Sequence, residues 1–110
     1  MKQDLDFKYF YPIVQQVVPA AEYRLYLYFN DGSVRLADIS NLIVPETVFE
    51  PLMNKDIFNK VTIIGGAPAW DLVGNRDPYE CIDLDPLELF KNSPVVADPL
   101  ADKVEQQQIA

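Results

Sequence analysis

The chain contains no histidine and a single cysteine, Cys81. Without histidine, none of its hydroxyl or thiol groups (Ser33, Ser40, Ser93, Cys81) can be activated by an imidazole base, which removes the usual nucleophilic triads. One cysteine forms no internal disulfide and cannot complete a structural zinc site. Cys81, next to Ile82, reads as a small apolar core residue. No stretch approaches the ~20 apolar residues that cross a bilayer, and residues 1–10 mix charges with aromatics where a secretory signal needs an apolar run. The expected location is the cytoplasm, with no membrane association. Only 9 basic residues stand against 17 acidic ones. Phosphate backbones repel such a surface, so direct nucleic-acid binding is not expected. Gly65-Gly66 lacks the following lysine and hydroxyl residue of a phosphate loop and reads as a strand turn. No repeat of 20–50 residues marks a solenoid or propeller.

What the chain does have is the composition of one globular domain: 110 residues, 49% hydrophobic and 12% aromatic. The charge is unequally spread, with 6 basic and 8 acidic residues in 1–66 and 3 basic and 9 acidic in 67–110. A basic protein partner is compatible with this imbalance, as is simple solubility.

The dominant local signal is an alternating run, Tyr23 to Phe29, that enters Asn30-Asp31-Gly32-Ser33 and leaves as Val34 to Asp38. Asp-Gly between alternating segments predicts a hairpin with a two-residue type I′ turn. That turn places Phe29 opposite Val34, Leu27 opposite Leu36 and Tyr28 opposite Arg35. The β-branched run Ile13 to Val18 predicts an earlier strand, closed by Pro19. Leu42 and Ile43 dip into the core from a short connection ending at Pro45. Val48, Phe49, Leu52 and Met53 recur at helical spacing, limited by Pro51 to a short or distorted helix. A further single turn over 56–60 has Asn54 or Asp56 as its cap. The segment Val61 to Ile64 and the segment Ala69 to Leu72 flank the Gly65-Gly66 turn. Residues 80–84 resume the sheet, and Asp85-Pro86-Leu87-Glu88 opens a brief helix with Asp85 as cap. The fold class is therefore α+β: a small, mainly antiparallel sheet with a central hairpin and two or three short helices. The single domain spans 10–91, preceded by an extension over 1–9 and followed by a flexible tail over 92–110, in which Leu100, Val104 and Gln108 could line one face of a helix formed on a partner.

Leu25, Leu27, Phe29 and Asp31-Gly32, then Val48-Phe49 with Leu52, Phe58 and Val61, then Ala69-Trp70, and finally Ile82-Asp83-Leu84-Asp85-Pro86-Leu87-Glu88-Leu89-Phe90, in this order and spacing, resemble the bacterial domain of unknown function 2442 family. The resemblance runs over Phe10 to Lys91. It implies a compact α+β domain, small cytoplasmic proteins without an established activity, and gene arrangements like those of toxin–antitoxin pairs. Some members carry an appended helix-turn-helix; residues 91–110 are not expected to form one, so DNA binding is not carried over. The family offers no catalytic residues to transfer.

Three groups of residues are candidates for a site. Arg24, Tyr26, Tyr28 and Arg35 should share the hairpin face opposite Leu25, Leu27 and Phe29. Tyrosine and arginine are enriched at protein interfaces, so this face is the candidate partner-binding surface; the bland alternative is that another element covers the tyrosines. Asp71, Asp77, Glu80, Asp83 and Asp85 form the densest carboxylate set, but their spacing is not that of a calcium loop, and the simpler reading is a solvated loop with a capping acid. No cofactor or metal is expected, and a small metal-assisted enzyme using Asp71, Asp77 and Asp83 is the rival reading. Trp70 reads as a core residue first and an interface anchor second. A homodimer through an exposed sheet edge is a further alternative.

Overall fold

The computed structural model describes residues 10–74 and 81–100. The extension expected over 1–9 lies outside them. The described chain forms an α+β fold of two three-stranded antiparallel sheets and short helices. Strands β1 (Val14–Ala20), β2 (Arg24–Phe29) and β3 (Val34–Asp38) build the first sheet in that order. Strands β4 (Thr62–Ile64), β5 (Ala67–Trp70) and β6 (Ile82–Asp83) build the second. Between them lie 3₁₀ turns at Ser40–Leu42 and Glu50–Met53 and the single-turn helix α1 (Lys55–Phe58); helix α2 (Pro86–Asn92) follows β6.

The central hairpin forms where its sequence predicts, but in a different register. Tyr28 faces Val34, Leu27 faces Arg35 and Tyr26 faces Leu36, one residue away from the pairing that a two-residue Asp-Gly turn imposes. The loop holds three residues, Asn30-Asp31-Gly32, closed by Phe29 N donating to Ser33 O at 3.0 Å and Gly32 N to Phe29 O at 3.0 Å. Only Gly32 has positive φ (88°), whereas a type I′ turn needs it at both central residues. Asp31 stays out of that region and its Oδ1 accepts from Ser33 N at 2.9 Å. Asn30 supplies the tertiary reason. Its amide nitrogen donates to Ile13 O at 3.0 Å, its Oδ1 accepts from Ile13 N at 3.0 Å, and its Nδ2 donates to Tyr11 O at 3.1 Å. The loop is thereby clasped to the strand entering β1.

Pro19 does not close the first strand; it lies inside β1 opposite Leu25. Phe29 N donates to Ser33 O and Ile39 N to Tyr23 O, so odd-numbered residues of β2 turn their backbone groups toward β3 and even-numbered ones toward β1. Pro19, paired with an odd-numbered residue, therefore points its missing donor at the outer edge, where it costs no ladder bond.

The core lies between the inner face of the first sheet, α2 and the second sheet. Leu25, Leu27 and Phe29 are buried as the alternation predicts, joined by Ala37 and Ile39 of the next segment. Phe29 meets Phe90 of α2 edge-on at 5.1 Å, and Phe58 of α1 meets Trp70 of β5 at 5.8 Å; such pairs add roughly 0.5–1.5 kcal/mol beyond their buried area. Trp70 is 1% exposed and its Nε1 donates to Phe58 O at 2.9 Å, which places it in the core and not at an interface.

Both expected caps are present. Asn54 Oδ1 accepts from Asp56 N at 2.9 Å at the start of α1, and Asp85 Oδ1 accepts from Leu87 N at 3.0 Å at the start of α2, with Pro86 first in the helix. The helix read over 46–53 is indeed short and distorted: Glu46 adopts φ 68°, and the helical part is the 3₁₀ turn Glu50–Met53 that holds Pro51. Leu52 is buried, but Val48 is 71% exposed and Met53 is also exposed. A left-handed residue at 46 breaks the helical path before its period is established. Ile43 is buried as expected, while Leu42 is exposed and Ile39 fills the core beside it.

The segment from 92 onward, expected as a flexible tail, is packed over its described part. Leu36 N donates to Pro94 O at 3.0 Å and Val96 N to Val34 O at 2.8 Å, so residues 94–96 lie along the outer edge of β3. Ser93 is buried. Val104 and Gln108 lie outside the described residues. No helix among the described residues is long and apolar enough to cross a membrane.

Candidate functional site

The register decides which side chains share the outer face of the first sheet. Reading across β1, β2 and β3, one row is Gln16, Tyr28 and Val34, the next is Val18, Tyr26 and Leu36, and the third is Ala20, Arg24 and Asp38. Tyr26, Tyr28, Val18, Val34 and Leu36 are all half-buried. The face is thus an aromatic and aliphatic stripe with a charged end. Arg24 is held at that end by its Nε donating to Ala21 O at 3.0 Å and by Glu22, whose carboxylate is 3.8 Å from its Nη2.

Tyr28 anchors the other end. Its hydroxyl donates to Asp98 Oδ1 at 2.7 Å, and the same oxygen accepts from Leu100 N at 2.8 Å. Burial first, and then the hydrogen bond to the Asp98 carboxylate, push the Tyr28 hydroxyl up from 10.0 to about 12. Asp98 thereby ties the chain beyond residue 96 to the outer face.

Arg35 does not belong to this face, which corrects the candidate set Arg24, Tyr26, Tyr28 and Arg35. The extra loop residue turns Arg35 to the side of Leu27. Its guanidinium lies 3.9 Å from the Phe90 ring centroid, and its Nη1 donates to Phe90 O at 3.0 Å and Ser93 O at 3.3 Å. Arg35 therefore satisfies carbonyls at the end of α2, where a cation also suits the helix dipole. In its place the face gains Val34 and Leu36, whose alternation with Arg35 is plain in the sequence but whose side depends on the length of the loop.

The carboxylate set is dispersed into local roles. Asp71 Oδ1 accepts from Gly74 N at 2.8 Å, Asp83 sits in β6 opposite Ala69, and Asp85 caps α2. Asp77 and Glu80 lie outside the described residues. Among the described residues, no three histidine, cysteine or acidic side chains are grouped to hold a metal ion. The hydroxyls of Ser33 and Ser40 donate to Asp31 and Asp38 at 2.6 and 2.7 Å and close their turns. Ser40, first through its hydroxyl and then through its amide, holds the Asp38 carboxyl below its usual range. Gly65 and Gly66 form the β4–β5 turn with φ of 61° and 81°, and Gly66 O accepts from Val14 N at 2.8 Å. Cys81 is half-buried.

Both edges of the first sheet carry features that oppose pairing with a second sheet. The β1 edge has an irregularity between Val14 and Gln16 and the outward-facing Pro19, and the β3 edge is occupied by residues 94–96.

These features define a small α+β domain with one half-covered aromatic sheet face. The chain belongs to the family described as "Protein of unknown function (DUF2442)", whose model matches residues 14–95. No curated protein and no solved structure gives a significant match.

Proposed function

We propose that this chain is a non-enzymatic protein-interaction module, the acidic member of a two-protein pair of toxin–antitoxin type, which contacts its partner through the outer face of the first sheet. The observation that carries the reading is the row Val18–Tyr26–Leu36, three large side chains aligned across three strands and left half-buried. Tyrosine brings a large contact area and a polar tip at low entropic cost, which is what interface cores use. Arg24 and Asp38 at one end of the stripe supply the polar rim. The partner expected for a chain of net charge −8 is basic, with association that weakens as salt rises.

The test is a comparison of affinity-purified complexes from the native cell, wild type against Tyr26→Asp. A reproducible basic partner should be retained by the wild type at low salt and lost by the variant, with the circular dichroism spectrum unchanged. Equal retention by a folded variant rejects this face. Calorimetry with magnesium, calcium and manganese checks the rival reading: heat of binding that Asp71→Asn and Asp83→Asn abolish would favour a metal-assisted enzyme.

A further inference from the structure

A second surface, on the opposite side of the hairpin, has the chemistry of a binding groove. The 3₁₀ turn Ser40–Leu42 and helix α2 enclose a cleft of about 360 Å³. Its floor includes the buried residues Ala37, Ile39 and Leu84, and its walls include Leu42, exposed at 38%, and the half-buried Leu89. The rim bears Asp38, Asp85 and Glu88, all exposed, and among the described residues no lysine or arginine lines the cleft. Each of these carboxylates has an oxygen engaged locally: Asp38 with Ser40, Asp85 with Leu87 N, and Glu88 with Asn92 Nδ2 at 3.3 Å. The hydrogen bonds from Ser40 keep Asp38 anionic to lower pH than usual.

An independent feature points to an occupant. Ser93, at the end of α2, lines the same cleft and is only 6% exposed. Its amide donates to Leu89 O and its carbonyl accepts from Arg35, yet among the described residues its hydroxyl meets no hydrogen-bond partner. A buried hydroxyl left in this state is destabilising unless something from outside completes it.

We infer that this cleft receives a lysine- or arginine-bearing apolar segment of a partner protein, its aliphatic side chains on Leu42, Leu84 and Leu89 and its cations against Asp38, Asp85 and Glu88. An apolar floor selects an amphipathic segment over a fully hydrated basic loop, and a rim of one sign selects a cation-bearing segment over an acidic one. The inference shares with the proposed function the reading of the chain as a binding module but centres on a different surface, the two meeting at Asp38.

The experiment is amide NMR mapping of the full chain with a synthetic amphipathic peptide of leucine and lysine, beside the same peptide with glutamate in place of lysine. The lysine peptide should shift Leu42, Leu84, Glu88, Leu89 and Ser93, and the glutamate peptide should leave them unmoved. Glu88→Lys should weaken binding roughly tenfold, as loss and reversal of a rim charge does, and Leu42→Asp should weaken it through the apolar wall. Both positions are exposed, and spectra of the free variants establish that the fold is kept. Absent shifts, equal shifts with both peptides, or affinity unchanged in the two variants overturns the inference. Shifts confined to Val18, Tyr26 and Leu36 also overturn it, while leaving the outer-face reading standing; groove shifts with an inert outer face do the reverse.

Discussion

The guanidinium of Arg35 lies 3.9 Å from the ring centroid of Phe90 and donates to that residue's own carbonyl oxygen at 3.0 Å. One side chain of β3 therefore holds both the aromatic anchor and the carbonyl end of α2. Removing it leaves half-buried carbonyls short of a donor and a ring without its cation. Arg35→Ala should lower stability by about 2–4 kcal/mol, the sum expected of charged hydrogen bonds and a cation–π contact. Arg35→Lys should recover only part of this, because an ammonium lacks the planar group that lies over Phe90 while its Nη1 reaches Phe90 O and Ser93 O and its Nε reaches Ser33 Oγ. Urea denaturation checks both; an Arg35→Ala loss near zero would return Arg35 to the surface.

The same arrangement rests on a register that nuclear Overhauser effects can read directly. Tyr28–Val34, Tyr26–Leu36 and Arg24–Asp38 are the non-hydrogen-bonded pairs of the β2–β3 ladder, and their α-protons should give strong cross-strand signals. A Phe29–Val34 pairing would instead restore the two-residue turn.

The Tyr28 hydroxyl, pushed up to about 12, makes alkaline stability a probe of the Asp98 contact. In the unfolded chain this group loses its proton near 10, whereas in the folded chain it keeps it until about 12. Its contribution is thus fully present below pH 10 and is lost as pH rises from 10 to 12. Ultraviolet titration of phenolate should show a step near pH 12, and Tyr28→Phe should remove that late step and flatten the fall in stability across the same window. An unchanged titration in the variant would mean that the late tyrosine is another one.

Gly66 is the most sensitive glycine. A Cβ there would meet Ile13 Cγ2 at 2.8 Å, and its φ of 81° is costly for any other residue. Gly66→Ala should destabilise by roughly 1–3 kcal/mol, with the loss read in thermal unfolding. Gly65→Ala meets no neighbour within 4 Å and should cost less, bearing only its own positive φ. Equal effects at the two positions would refute the contact with Ile13.

Much of the fold was legible locally. Alternation in 24–29 placed Leu25, Leu27 and Phe29 inside, Asp85-Pro86 marked the start of α2, and Gly65-Gly66 marked the β4–β5 turn, because each signal is written within a few residues. The candidate face was half legible. Arg24, Tyr26 and Tyr28 share a side because they are alternate residues of one strand, which no register can alter.

What the sequence alone determined, then, is the set of elements and the two sides of each strand, since side-chain alternation and capping are properties of contiguous residues. Tertiary structure decided how those sides were matched. Asn30 binding Tyr11 and Ile13 lengthened the loop by one residue, and a strand with a period of two converts that single residue into a change of face, carrying Arg35 to the core side and Val34 and Leu36 outward. The docking of 94–96 on β3 likewise depends on backbone groups more than 50 positions distant in the chain, a relationship to which local patterning is blind.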